Sequence, residues 1–329
     1  MVYPWQHKQW LQLHQAKQDN RLPHALLFVG IKGMGKAHFA ESFIRLQLCQ
    51  QNGAVLHAEC DCHSCHLVNG KVHPNIVWIT PEKEGGAIKI DQIREAALFI
   101  QQTSLQGEYR FVVIDSADHM NLNAANALLK TLEEPSSGAI ILLIAESSSH
   151  LPATVLSRCQ LIHFKAPETQ LALQWLTQKL PSTVNPGLVL RLANGAPLAA
   201  IRLAEVDILT ARFQLLEMLY ALSEQQTDPL KSAVSIQEMD VIHILDFTFS
   251  FIMDLMRYHL TDDVNEVTNQ DFIRQIMDLR KRTELQNVTS YLDYVLQLRG
   301  QQQTNIHLNK QLMLEGLLIR WMECTHVSG

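Results

Sequence analysis

The first chemical signal in the chain is a glycine-rich segment that ends in a lysine. Residues 30–37 read GIKGMGKA, which places Gly30, Gly35 and Lys36 in the pattern G-x-x-x-x-G-K, with Gly33 as a further glycine inside the loop. An apolar run precedes the segment and a helical pattern follows it, as this kind of loop requires. Glycines allow backbone N–H groups to surround a phosphate, and the lysine reaches the terminal phosphates of a nucleotide. The segment predicts a nucleotide-binding loop, with an ordinary strand-to-helix turn as the alternative.

Two positions that hydrolysis requires do not carry the necessary groups. Ala37 stands where a serine or threonine hydroxyl would bind Mg²⁺. The apolar run at 111–114 ends at Asp115, a suitable carboxylate beside the metal, but Ser116 stands where an ATPase carries a glutamate. A serine hydroxyl has no useful basicity near pH 7. We therefore expect ATP to bind weakly or not at all, without hydrolysis. An active ATPase motor is the alternative.

Four of the six cysteines fall in one short segment. They are Cys49, Cys60, Cys62 and Cys65. Four thiolates can form a closed tetrahedral zinc site, whose role is structural because no ligand position stays open. Three nearby histidines are alternatives for one ligand: His57, His63 and His66. Zinc is the favoured interpretation of the segment, about 49–65, and reduced buried thiols are the alternative.

One arginine stands just before the last apolar run of the first half. Arg158 lies between Ser157 and Cys159, ahead of residues 161–164. In a parallel sheet such a residue can face a neighbouring subunit and contact the γ-phosphate bound there. The residues alone favour an ordinary surface or salt-bridged arginine.

Short apolar runs separated by helical patterns define the expected architecture. Nearly continuous apolar runs are typical of strands that are buried on both faces, and the alternation predicts an α/β fold with a parallel sheet. The runs are residues 25–29, 76–80, 111–114, 140–145 and 161–164. Later residues predict only helices, with a break at Gly300. We expect an α/β domain (1–166), a small helical domain (167–205) and a helical C-terminal domain (206–329).

The composition restricts the class of protein. Lysine and arginine total 27 and aspartate and glutamate total 33, so the net charge is −6. An acidic chain without a basic cluster is a poor candidate for a zinc-dependent nucleic-acid-binding module. The most apolar stretch, residues 241–256, contains charged groups and is shorter than a bilayer requires. We expect a cytoplasmic protein with no membrane contact.

Several longer segments together resemble one family. They are PHALLFVG (23–30), GIKGMGK (30–36), FVVIDSAD (111–118), NAANALLKTLEEP (123–135), LPATVLSRCQ (151–160) and NGAPLAA (194–200). With the four-cysteine insertion, these segments resemble the delta-prime subunits of bacterial DNA polymerase III clamp loaders, which are AAA+ proteins. The resemblance spans the whole chain.

The resemblance implies a non-hydrolysing subunit of a hetero-pentamer that contains delta, delta-prime and three copies of the tau or gamma ATPase. This assembly loads the beta sliding clamp onto primed DNA within the DNA polymerase III holoenzyme, a nucleotidyltransferase. Arg158 would enter the nucleotide site of the neighbouring ATPase subunit, and DNA would be contacted through the assembled ring. The four cysteines would bind structural Zn²⁺. Residues 167–205 would form the lid, and residues 206–329 would form an oligomerising collar.

The chain departs from the family pattern at several points. The family's zinc cysteines usually read C-x₂-C-x₂-C, whereas Cys60 and Cys62 are separated by one residue. The lysine of the loop, Lys36, is intact. Glu146 follows the run at 140–145, where an active relative has a polar sensor. No arginine occupies the second sensor position after NGAP, although Arg202 follows nearby.

Overall fold

The computed structural model describes residues 2–51, 60, 62–83, 85–102, 109–303 and 309–326. The chain forms two compact units. The first comprises Met1–Ala172 with Ala196–Leu198, and the second comprises Leu173–Gly195 with Ala199–Gly329. The division into three domains at residues 166 and 205 stays a prediction.

A five-stranded parallel sheet forms the centre of the first unit. Its strands are β1 (Ala25–Val29), β2 (Ile76–Ile79), β3 (Arg110–Asp115), β4 (Ala139–Ala145) and β5 (Gln160–His163). Their order across the sheet is β2-β3-β4-β1-β5. Every residue of β1 and β4 is buried, which explains their uninterrupted apolar sequences. All five predicted strands are confirmed, with ends that differ by no more than one residue.

The register of the sheet brings the chemically interesting segments to one edge. Val29 pairs with Ala145 and with His163, so β1, β4 and β5 end side by side. Asp115 pairs with Ile144 and ends β3 at the same edge. Because the carboxyl ends of parallel strands form the usual binding edge of such a sheet, the glycine-rich loop and Asp115 lie on the same side.

Helices connect and cover these strands. They are α1 (His7–Gln18), α2 (Lys36–Leu48), α3 (His63–Asn69), α4 (Ile90–Gln101), α5 (Leu122–Glu133) and α6 (Ala153–Leu156). Helix α2 buries Phe39 and Phe43 against the sheet. Helix α5 begins after Asn121, whose side chain accepts a hydrogen bond from the Ala124 N–H at 2.8 Å.

The remaining helices follow β5, and no later strand occurs among the residues described. They are α7 (Thr169–Lys179), α8 (Pro186–Leu192), α9 (Pro197–Leu203), α10 (Val206–Ser223), α11 (Pro229–Ser235), α12 (Val241–Thr261), α13 (Ile273–Arg282), α14 (Leu285–Gln303) and α15 (Lys310–Thr325). Phe251, Phe272 and Trp321 fill the core of the second unit. These elements confirm the predicted class, α/β followed by all-α.

One local prediction about the helices is wrong. Helix α14 does not break at Gly300 but continues to Gln303. A glycine inside a helix costs only about 0.5–1 kcal/mol relative to alanine. The preceding turns bury Val295 and Leu298 in the core, and this packing outweighs the cost. Within the part of the chain that the structure describes, no helix is long and apolar enough to span a bilayer.

Candidate functional site

The glycine-rich loop follows β1 directly, and its glycines satisfy steric requirements. Gly33 and Gly35 have φ angles of 88° and 80°, in the left-handed region that favours glycine. Gly30 has no room for a side chain, because an added Cβ would lie 2.2 Å from the carbonyl oxygen of Phe164. Helix α2 then begins at Lys36, so its N-terminus lies beside the loop. The backbone therefore has the succession of strand, glycine-rich loop and helix that the sequence pattern predicted.

The loop lysine is bonded to the loop itself. Lys36 is buried, and its Nζ donates to the carbonyl oxygen of Gly30 and to that of Ile31, the latter at 3.0 Å. Burial lowers the pKa of Lys36 from its usual value. Three carboxylates act in the opposite direction: Glu146, Asp118 and Asp115. A phosphate would have to compete with two carbonyl groups for this ammonium.

The N-terminal residues of the chain pack against the same loop. Trp5 Nε1 donates to the carbonyl oxygen of Met34 at 3.1 Å, and Gln6 Nε2 donates to the same oxygen at 2.9 Å. Gln6 Nε2 also lies 3.0 Å from the carbonyl oxygen of Gly35. The ring of Tyr3 covers Gly35 so closely that an added Cβ would lie 2.7 Å from Tyr3 Cε2. Sequence reasoning missed these contacts.

A later segment of the first unit also bonds the loop. The backbone N–H of Leu198 donates to the carbonyl oxygen of Gly33 at 3.1 Å. With the contacts above, five loop residues have carbonyl groups that accept hydrogen bonds from within the chain: Gly30, Ile31, Gly33, Met34 and Gly35. The loop is therefore fixed by the protein's own donors.

The acidic side of the site has no carboxylate at the position after Asp115, and its backbone there has an uncommon conformation. Asp115 ends β3, and burial raises the pKa of its carboxyl group. Ser116 has φ 64° and ψ 47°, a left-handed conformation that is uncommon for residues other than glycine. Asp118 Oδ2 accepts the backbone N–H of Glu146 at 3.0 Å. Sequence reasoning did not assign Asp118 a role. The signal that could have indicated this contact is the presence of acidic residues just after β3 and β4.

The four cysteines form one cluster. Their ligand atoms all lie within 4.8 Å of one another, with Cys49 Sγ 3.4 Å from Cys60 Sγ and 4.0 Å from Cys62 Sγ. Four sulfur atoms around zinc at about 2.3 Å lie about 3.8 Å apart. The residues therefore fit zinc. The cluster includes Cys60, whereas His63 and His66 do not belong to it. His57 lies outside the described residues.

Local structure sets the positions and the acidity of these thiols. Cys49 follows α2, and Cys62 and Cys65 lie at the start of α3. Burial raises the pKa of Cys62, but hydrogen bonds from the Cys65 and Gln50 backbones outweigh it and lower the pKa to about 6. Burial raises the pKa of both Cys49 and Cys65. A metal ion would favour the thiolate form of all four groups.

Arg158 lies between α6 and β5, with about a third of its side chain exposed. Its Nη2 donates to Glu133 Oε1 at 2.6 Å. Its Nη1 donates to the carbonyl oxygen of Thr154 at 2.9 Å and to Ser157 Oγ at 3.3 Å. The residues alone favoured a salt-bridged surface arginine, and this is its arrangement within the chain. Its action on a neighbouring subunit stays a prediction.

Comparison with known proteins decides the family. Two family models match, "DNA polymerase III, delta subunit" at residues 5–168 and its C-terminal counterpart at residues 207–323. DNA polymerase III subunit delta' of Pseudomonas aeruginosa is 33% identical over 97% of each chain. The chain belongs to the delta-prime family of DNA polymerase III subunits. The delta' subunit of Escherichia coli is 29% identical over 97% of this chain and 94% of that relative.

This chain is also similar in sequence to another kind of DNA polymerase III subunit. DNA polymerase III subunit tau/gamma of Haemophilus influenzae is 33% identical over 56% of this chain and 27% of its own length. A DNA polymerase III gamma subunit-related protein of Thermotoga maritima aligns in structure with a TM-score of 0.46 and 20% identity, covering 96% of this chain and all of that one. The two family models and the delta' relatives confirm the family resemblance noted from the sequence motifs.

Proposed function

We propose that this chain is a non-hydrolysing delta-prime subunit of a clamp loader. It assembles with delta and three copies of a tau or gamma ATPase, and the hetero-pentamer loads the beta sliding clamp onto primed DNA. Its own nucleotide site is degenerate and binds ATP weakly or not at all. Its contribution to hydrolysis is Arg158, which completes the nucleotide site of a neighbouring ATPase subunit.

The state of the chain's own nucleotide site carries this proposal. Lys36, the group that would neutralise the terminal phosphates, bonds two loop carbonyl groups instead. Ala37 offers no hydroxyl for Mg²⁺. The hydroxyl side chain of Ser116 provides no base beside Asp115. Metal binding, phosphate binding and water activation are therefore all impaired in one site.

The arginine, by contrast, retains what a trans-acting group needs. A guanidinium is always charged at neutral pH, so Arg158 carries a full positive charge to any phosphate it contacts. Its partial exposure, next to an acidic helix end, leaves it accessible to a second subunit. An arginine finger of this kind accelerates phosphoryl transfer by about 10³–10⁵-fold at the site that it completes.

The other features support an assembly subunit. The four-cysteine cluster would join the end of α2 to the start of α3 through structural zinc, without an open position for chemistry. The second unit exposes large apolar side chains on α11, α12 and α15: Leu230, Val234, Ile242 and Leu312. Such groups suit a collar in which residues 206–329 pack against neighbouring subunits. With a net charge of −6, contact with DNA is expected through the assembled ring.

The proposal is tested by ATP turnover of the isolated chain and of the complete mixture with the ATPase, delta, clamp and primed DNA. We expect no turnover by the isolated chain and clamp-stimulated turnover by the mixture. Omission of this chain alone should abolish clamp loading. Robust turnover by the isolated chain, abolished by Lys36→Ala, would instead identify an active motor subunit.

A further inference from the structure

The guanidinium of Arg158 donates to three acceptors, and two of its five N–H donors remain unused among the residues described. Both hydrogen bonds of Nη1 go to Thr154 and Ser157, and one from Nη2 goes to Glu133. A guanidinium has five N–H donors. Within the described residues, the Nε–H and the second Nη2 N–H have no acceptor. Two donors thus remain for a ligand while the other three fix the orientation of the group.

Glu133, which provides the charged acceptor, lies at a position where a negative charge does not stabilise its own helix. It is the last residue of α5, and Glu134 follows it. The C-terminus of a helix carries partial negative charge, so acidic residues there are unfavourable. The contact with Arg158, and not stabilisation of α5, therefore accounts for a glutamate at this position. A residue that violates a local preference is a frequent marker of a functional position.

We propose that Glu133 is a positioning residue for Arg158. It holds the guanidinium in one orientation, so that the two unused N–H groups are available to the γ-phosphate in the neighbouring ATPase subunit. Donors fixed in advance stabilise developing charge without reorganisation during the reaction. The arginine need not leave Glu133 to act, because the acceptors within the chain leave two donors unused. This inference rests on the proposed trans-acting function of Arg158.

The test uses the reconstituted complex with primed DNA and clamp, and a set of variants of this chain. The signal is the Arg158-dependent turnover, defined as the turnover with the wild-type chain minus the turnover with Arg158→Ala. We expect Glu133→Ala to lower this signal about twofold to fivefold through kcat, with KM for ATP unchanged, because the half-exposed ion pair orients the group without binding substrate. Glu133→Gln, which retains an oxygen acceptor, should retain most of it.

A matched control and a double variant separate positioning from structure. Glu134→Gln removes one negative charge from the adjacent exposed residue and should leave the signal unchanged. Glu133→Ala combined with Arg158→Ala should equal Arg158→Ala alone, because Glu133 acts only through the arginine. Thermal unfolding and co-elution with the complex verify each variant. Glu133→Asp, which withdraws the carboxylate by one methylene, provides the test if the alanine variant does not fold.

The outcomes distinguish the two proposals. If Arg158→Ala lowers turnover but Glu133→Ala leaves it unchanged or raises it, the positioning role is overturned and the trans-acting role stands. A raised value would mean that the ion pair restrains the arginine. If Arg158→Ala has no effect, both roles are lost.

Discussion

Replacement of Cys62 by serine should weaken zinc binding by the four-cysteine cluster and destabilise the first unit. Two sulfur separations, 3.4 and 4.0 Å, lie within a few tenths of an ångström of the ideal value of about 3.8 Å, and all four sulfur atoms lie within 4.8 Å of one another. The cluster therefore needs little rearrangement to bind the ion. A structural site of this kind contributes roughly 10–16 kcal/mol. If its ligands contribute equally, the loss of one costs about 3 kcal/mol, or about 10²-fold in zinc affinity.

The expected consequence for stability follows from the same figure. A loss of about 3 kcal/mol in a unit of this size lowers the midpoint of thermal unfolding by roughly 6–12 °C. Zinc content after gel filtration under reducing conditions and competition with a chromogenic chelator measure the binding. Cys324→Ser is the matched control, because Cys324 is a buried thiol in the second unit and outside the cluster. Equal zinc affinity of Cys62→Ser and the wild type in the chelator competition would contradict this prediction.

Further predictions concern steric fit and pH. Gly30→Ala should lower the unfolding midpoint, because the new methyl would clash with the Phe164 carbonyl. Gly300→Ala should raise the unfolding midpoint slightly, since an added Cβ there meets no atom within 4 Å. Thermal scans in which both variants shift the midpoint in the same direction would contradict this prediction. Burial and the charge of Arg280 lower the pKa of His259 below its usual 6.5. The unfolded chain therefore binds a proton more readily, and the free energy of unfolding falls as pH drops from 7.5 through 6.5 toward the lowered pKa. His259→Gln should reduce this fall in denaturant titrations at pH 7.5 and 5.5, and an unchanged fall would contradict the assignment.

The strands and the loop were predictable because local sequence determines them. Continuous apolar runs indicate strands that are buried on both faces, and the helical patterns between them indicate parallel pairing. The order of the strands, β2-β3-β4-β1-β5, was not predicted. The pattern around Gly30 and Lys36 specifies a strand, a loop and a helix in succession. The grouping of the cysteines in sequence likewise indicated one cluster. The inclusion of Cys60 and the exclusion of His63 became clear only from the positions of the atoms.

Other features of the site depend on contacts between distant parts of the chain. Gln6 reaches the loop across 28 residues, and Arg158 reaches Glu133 across 25 residues. No local pattern encodes such pairs. The left-handed backbone at Ser116 is equally invisible, because serine has no strong preference for it. The predicted break at Gly300 was wrong because tertiary packing outweighed a weak local propensity.

The trans-acting role of Arg158 is tested most directly by ATP turnover of the complete assembly with the wild-type chain and with Arg158→Ala, at equal and verified incorporation. We expect that the isolated chain does not hydrolyse ATP and that the variant lowers turnover by the assembly. If three ATPase sites contribute equally and only one uses Arg158, the fall is about a third, since loss of a finger nearly silences its site. Equal turnover with the two chains would contradict the role of Arg158, and robust hydrolysis by the isolated chain would contradict the inactive nucleotide site.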